Sequence, residues 1–336
     1  MTTVPTQHDE IEALPRAISR RPTGADRVFV HGFRAIGATV LVVTGSIGLF
    51  LAWQAVPTLR HYGLSFFTEE DWAPEQGTVG IAGILVGTVS VAGVALVIAF
   101  PLALLTALFI AEYAPHSVRA TLVSLVDLMA AVPSIVYGLW GALLVQPYAA
   151  EIARWLHGTL GWIPLFDVPS ADPDAAVWDQ TRYIASAFCA AIAVAMMVLP
   201  MSCAVMRQVF SQTPQAEKEA ALALGATRWG MVRTVVLPFG RGGIVGGTML
   251  GLGRALGETI AVYLIISPAF DIKPHILEVG TNTVAALIAA RFGDASAAQL
   301  SALLAAGFAL FLITLAVNTL AAIIVNRSRS GQGTDA

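Results

Sequence analysis

EAALALGATRWGMVRTVVLP, residues 219–238, is the only long charged and segmented passage between two deeply apolar runs of this chain. Thr213-Pro214 just before it reads as a helix start, with a hydroxyl to cap free N–H groups and a proline that needs no donor in the first turn. Glu217 and Glu219 fall early, where the helix dipole favours negative charge. The run AEKEAALAL favours helix up to Gly225, which can adopt the left-handed conformation that ends one. Thr227 is placed to start a second short helix, and Pro238 to stop it. The expectation is a helix–turn–helix lying across one membrane face, with Ala220 and Ala221 small enough to sit close inside a cleft on another protein.

The membrane assignment comes from composition. Of 336 residues, 56% are hydrophobic and only 12% charged, against roughly 25% charge in soluble domains, and the mean hydropathy is +0.73. A window of about 19 residues picks out six runs long enough to cross a bilayer, each of roughly 20 residues. They lie near 33–59, 80–111, 120–145, 183–206, 243–267 and 300–325. The fold class expected is an all-α membrane protein with six transmembrane helices.

Loop charge orients it. Arg16, Arg20, Arg21, Arg27 and Arg34 lie in the N-terminal tail and at the very start of the first run, Arg207, Lys218, Arg228, Arg233 and Arg241 fill the fourth loop, and Arg327 and Arg329 follow the last run. Acidic residues dominate the first loop (Glu69, Glu70, Asp71, Glu75 against Arg60) and the third (Glu151, Asp167, Asp172, Asp174, Asp179 against Arg154). Since cytoplasmic loops retain Lys and Arg, this alternation predicts both termini, and the 211–240 loop, in the cytoplasm. The expected organisation is a polar cytoplasmic tail 1–32, a first transmembrane helix 33–59, an extracytoplasmic loop 60–79, a core 80–326 and a C-terminal cytoplasmic tail 327–336. No signal peptide is read: the first run is too long, lacks a clear cleavage site, and stays as an anchor.

Several chemistries are set aside. The chain has two lysines, Lys218 after Glu217 and Lys273 after Ile272, so neither stands in the Gly-Lys-Ser/Thr context of a P-loop. No G-x-S-x-G elbow occurs. Cys189 and Cys203 share one expected helix at a separation no disulfide spans, and the six histidines show no metal-ligand spacing. No catalytic or metal residue is assigned, and energy must come from a partner or an ion gradient.

The second constellation is Arg254 and Glu258 within GLGRALGETIAV, placed in the middle of the expected fifth span. A central Arg costs about 2.5–3.5 kcal/mol on insertion scales. At i,i+4 the two can meet on one helix face and partly neutralise each other. Gly243, Gly247, Gly251 and Ala255 form a small-residue stripe beside them, the kind of surface on which membrane helices approach closely. The pair is therefore expected at a helix junction or watery cavity, where the Arg fork suits an oxyanion such as phosphate and Glu258 keeps it from binding too tightly. Asp127 is expected to cap or pair, and Pro101 and Pro133 to kink their helices.

EAA-x-x-x-G followed by Leu237-Pro238 resembles the EAA loop of ABC importer permeases. Together with VPSIVYGLWG, GLGRALGETIAV and the first-loop sequence GLSFFTEEDWAP…GILVGTV, it makes nearly everything after the tail similar to the permease subunits of the bacterial phosphate-specific importer, PstC type. The resemblance implies a type I (MetI-like) transmembrane domain in the inner membrane. It implies that Glu219, Ala220, Ala221, Gly225, Leu237 and Pro238 couple to an ATPase, and that Arg254 serves phosphate passage. It also implies a PstA-type permease partner, two PstB-type ATPase subunits that hydrolyse ATP with Mg, and a PstS-type phosphate-binding protein. No cofactor is expected on this chain, and nucleic acid is not among the implied partners. An importer of sulfate, molybdate or phosphonate, an ion-coupled secondary transporter, and a membrane component of phosphate signalling are the competing readings.

Overall fold

The structure, a computed structural model, describes residues 24–169, 171–172 and 181–329. The expected tail as far as residue 23, Asp174 and Asp179 of the acidic third loop, and 330–336 of the C-terminal tail lie outside the described residues.

Helix α1 (Gly24–Tyr62) begins before the expected boundary at 33, because the polar flank continues the same helix. Up to Phe50 it forms a unit of its own. A single turn α2 (Ser65–Thr68) and a two-stranded antiparallel ribbon, β1 (Trp72–Ala73) with β2 (Thr78–Val79), pair Trp72 with Val79 and lead into α3 (Ala82–Leu108). A π-helical turn, Phe109–Tyr113, ends α3. Pro101 lies inside α3, which runs past it without a break.

The third apolar run is not one straight helix. Helix α4 (His116–Ala131) stops at Val132, which is extended as a residue before proline prefers. The chain resumes after Pro133 as α5 (Ser134–Trp140) and, through the π turn Gly141–Val145, as α6 (Gln146–Leu160), at 89° to α4. The Tyr137 hydroxyl donates to the Met129 carbonyl at 2.8 Å and ties the two arms across the bend.

Helix α7 (Ala187–Ser211) is followed by α8 (Gln215–Ala223) and α9 (Arg228–Met231), then by the π turn Val232–Val236 and α10 (Leu237–Leu256). Short helices α11 (Ile260–Ile265) and α12 (Val284–Arg291) precede the long α13 (Ala297–Arg329). Among the described residues, five helices are long and apolar enough to cross a membrane, and the bent pair makes a sixth if counted as one span. The fifth span is displaced from 243–267 to Arg228–Leu256. A hydropathy window runs straight through GETIAV, but the backbone breaks there, so α11 is a separate element.

Helix α7 forms the centre. Of the five long apolar helices it is the most deeply buried, with 67% of its apolar stretch inside the protein. Small residues explain how closely it is packed. Ala95, Ala99, Ala103 and Ala107 on α3 and Gly243, Gly247, Gly251 and Ala255 on α10 are all buried ridges at four-residue spacing. The α10 ridge lies on Val209, Met206, Ser202 and Val198 of α7: a Cβ at Gly243 would stand 2.5 Å from the Val209 Cβ, and one at Gly247 3.0 Å from the Ser202 carbonyl oxygen. Gly246, by contrast, faces open space. Gly243→Leu is expected to destabilise the chain in detergent by about 1–3 kcal/mol, the usual cost of overpacking, while Gly246→Leu leaves it unchanged. Thermal aggregation of the two purified variants checks this.

Candidate functional site

The α8–α9 segment folds largely as its residues dictate. Gly225 has φ +87°, and the Ala226 N–H donates to the Ala221 carbonyl while the Gly225 N–H donates to that of Leu222. That is the Schellman arrangement, which closes a helix on a left-handed residue. Thr227 caps α9 by accepting from the Gly230 N–H at 3.1 Å.

Two expectations fail here. Thr213 does not cap α8, because Pro214 holds the cap position and leaves the hydroxyl a residue too early; Thr213 Oγ1 is buried without a partner. Pro238 does not stop a helix either. The Leu237 N–H reaches back five residues to the Val232 carbonyl, and this widened turn accommodates a proline that would otherwise collide with the preceding turn. Helix α9, the π turn and α10 therefore form one continuous rod from Arg228 to Leu256.

Glu219 is exposed and accepts from the Gln215 side-chain amide at 3.1 Å. Ala220 is exposed, but Ala221 is half-buried against the chain's own apolar cluster with Phe210, Met231 and Val232. Leu237 packs on that cluster too, and Pro238 is exposed. The apolar groups left facing outward are Leu222, Leu224 and Trp229, with Leu224 90% exposed. The sequence reading singles out Ala220 and Ala221 on this segment and not these larger side chains.

Helix α10 carries the second candidate site at its end, not at the middle of a span. Arg254 lies in its last turn, Gly257 follows the last helical residue, and α11 restarts at Ile260. The expected ion pair does not form. Glu258 has left the helix, so the i,i+4 relation no longer applies; its Oε1 instead accepts the Ala261 N–H at 3.2 Å and closes the first turn of α11. Arg254 Nη2 donates to Met197 Sδ at 3.5 Å, and its Nε is buried with no partner. Both side chains line an open cavity of about 500 Å³ shared with Met201, Thr314 and Asn318. Thr314 and Asn318 stand four residues apart on α13 and were missed, although two polar residues inside an apolar run are a readable signal. A helix broken beside a cavity is how membrane proteins place polar backbone at depth.

Asp127 pairs with Arg207 of α7 at 3.6 Å. Among the described residues no group of three or more metal-ligand side chains occurs.

Residues 99–330 match the model of the family described as binding-protein-dependent transport system inner membrane component. The phosphate transport system permease protein PstC 2 of Mycobacterium tuberculosis is 38% identical over 98% of this chain and 100% of its own length. The chain belongs to the PstC permeases of this family. The PstC protein of Xylella fastidiosa is 36% identical, over 96% of this permease and 97% of the relative. Among solved structures, a bacterial ABC transporter involved in the import of the acidic polysaccharide alginate matches at a TM-score of 0.50 and 18% identity, covering 90% of this permease and 99% of that chain. That likeness places the permease in the ABC importer transmembrane fold. It is a multi-pass membrane protein and a component of a larger transport complex.

Proposed function

We propose that this permease forms, with a PstA-type paralogue, the translocation path of an ATP-driven inorganic phosphate importer in the bacterial cytoplasmic membrane. Two PstB-type ATPase subunits bind below α8 and α9 and hydrolyse ATP with Mg, and a PstS-type protein delivers phosphate from outside. Both termini then face the cytoplasm, the orientation that the alternation of basic and acidic loops favours. The chain itself carries out no bond chemistry.

The observation that carries the cargo is Arg254. Arg254 lines the cavity at a helix break with no carboxylate partner within ion-pair distance among the described residues. Its Nη2 is held only by a thioether, so its positive charge is left for an anion that enters. A tetrahedral oxyanion supplies acceptors in the fork geometry that Arg favours. Glu258 on the same wall opposes retention by like-charge repulsion, so that the anion passes through. Thr314 and Asn318 add neutral polar groups from α13.

Reconstitution with the three partner types in proteoliposomes tests this reading. ATP-dependent uptake of labelled phosphate is expected, with a tenfold molar excess of sulfate competing poorly; equal competition would reassign the cargo to another oxyanion.

A further inference from the structure

The buried ion pair between Glu112 and Lys218 has no part in the sites above. Lys218 Nζ donates to Glu112 Oε1 at 2.6 Å, and the two side chains are only 12% and 7% exposed. Glu112 belongs to the π turn that ends α3. The same turn is braced from the other side by Arg119 of α4, whose guanidinium donates to the carbonyls of Ile110 and Ala111.

Helix α8 is otherwise lightly attached. Its half-buried positions are Lys218 and Ala221, which share a face at i,i+3, and its other residues are exposed. Ala221 offers one methyl to the apolar cluster. Among the described residues, the polar side-chain contact that leaves α8 is the Lys218–Glu112 pair. An apolar contact of one methyl slides under load, whereas separating two opposite charges in a dry site is resisted both by their attraction and by the cost of stranding each alone.

Helix α3 then leads across the molecule. It rises about 1.5 Å per residue, and at its far end Gly83 abuts the backbone of Phe270 and Asp271, and Gly87 that of Asn282. Thr88 accepts the Val284 N–H at 3.0 Å. Phe270, Asp271 and Asn282 belong to the irregular stretch between α11 and α12, and Val284 is the first residue of α12.

We propose that Lys218 and Glu112 form a latch that passes displacement of α8 to α3 and so to the 270–284 segment that follows α11. They are positioning residues for coupling, and the proposal rests on reading α8 as the helix that meets the ATPase.

The test uses the full complex in proteoliposomes and reads phosphate imported per ATP hydrolysed. In Lys218→Met and in Glu112→Gln this ratio is expected to fall roughly tenfold, within the usual range of site-to-site coupling, with the ATPase subunits still co-purifying. Lys218→Arg, and the exchange Glu112→Lys with Lys218→Glu, are expected to restore most of it. A ratio like the parent's in either single variant overturns the latch. If the single variants fail to assemble, the two restoring variants decide: assembly regained with a low ratio overturns the proposal, and assembly regained with the parent's ratio supports it. Leu224→Cys in the otherwise parental complex separates the coupling role of α8 from the latch. No cross-link from it to the ATPase removes the coupling reading and the latch together, whereas a cross-link with an unchanged ratio in Lys218→Met removes the latch alone.

Discussion

Arg254→Gln is expected to lower ATP-dependent phosphate uptake by roughly ten- to a hundredfold, the loss that accompanies removal of a hydrogen bond to a charged group. The site is asymmetric. The guanidinium has a thioether as its acceptor on one side and nothing at Nε, so the chain gains little from it unless an anion passes. A charge in an apolar setting is a cost that its neutral replacement removes. The Gln variant should therefore be as thermostable in detergent as the parent or more so, and the fall in uptake will not be a folding effect. Arg254→Lys keeps the charge without the planar fork and should fall between the two. Uptake undiminished in Arg254→Gln, measured at equal permease content, would sink the pathway assignment.

What could be read in the sequence depended on whether the deciding interaction was local. The turn at Gly225 was legible because φ +87° is a conformation that few residues other than glycine adopt. The Thr227 cap was legible because its partner, Gly230, lies three residues on. The glycine ridge of α10 was legible from its spacing alone, and the matching alanine ridge of α3 obeys the same rule. The bend at Pro133 was readable as an interruption, but its 89° depends on what the two arms pack against. The end of α10 was hidden, since GETIAV continues an apolar run and a hydropathy window averages over the three residues, Gly257 to Thr259, between α10 and α11. That error carried the supposed Arg254–Glu258 pair with it, because an i,i+4 argument presumes an unbroken helix. The Glu112–Lys218 pair was out of reach: its members are 106 residues apart, and only the tertiary fold brings α8 to the π turn at the end of α3.

Gly225→Val is expected to uncouple ATP hydrolysis from transport, with phosphate imported per ATP falling roughly tenfold for a conformational cost of about 1–2 kcal/mol. A Cβ at residue 225 would meet nothing within 4 Å, so a clash inside the chain cannot be the cause. What changes is the backbone. A β-branched residue resists φ +87°, the two carbonyls closed by Gly225 and Ala226 lose their donors, and α8 is redirected relative to the rigid rod that begins at Arg228. Leu222 and Leu224, which face outward just before the turn, would then meet a docked subunit at a different angle from Trp229 just after it. Asn tolerates the left-handed region better than most non-glycine residues, so Gly225→Asn should keep most of the coupling although it adds more side chain than Ala. Steric interference at the ATPase surface would give the opposite order, with the larger polar Asn as harmful as Val and Ala harmless. Measuring the ratio of uptake to hydrolysis for Ala, Asn and Val at this position separates the two causes, and a Val variant with the parent's ratio would show that the direction of α8 is not what transmits the stroke.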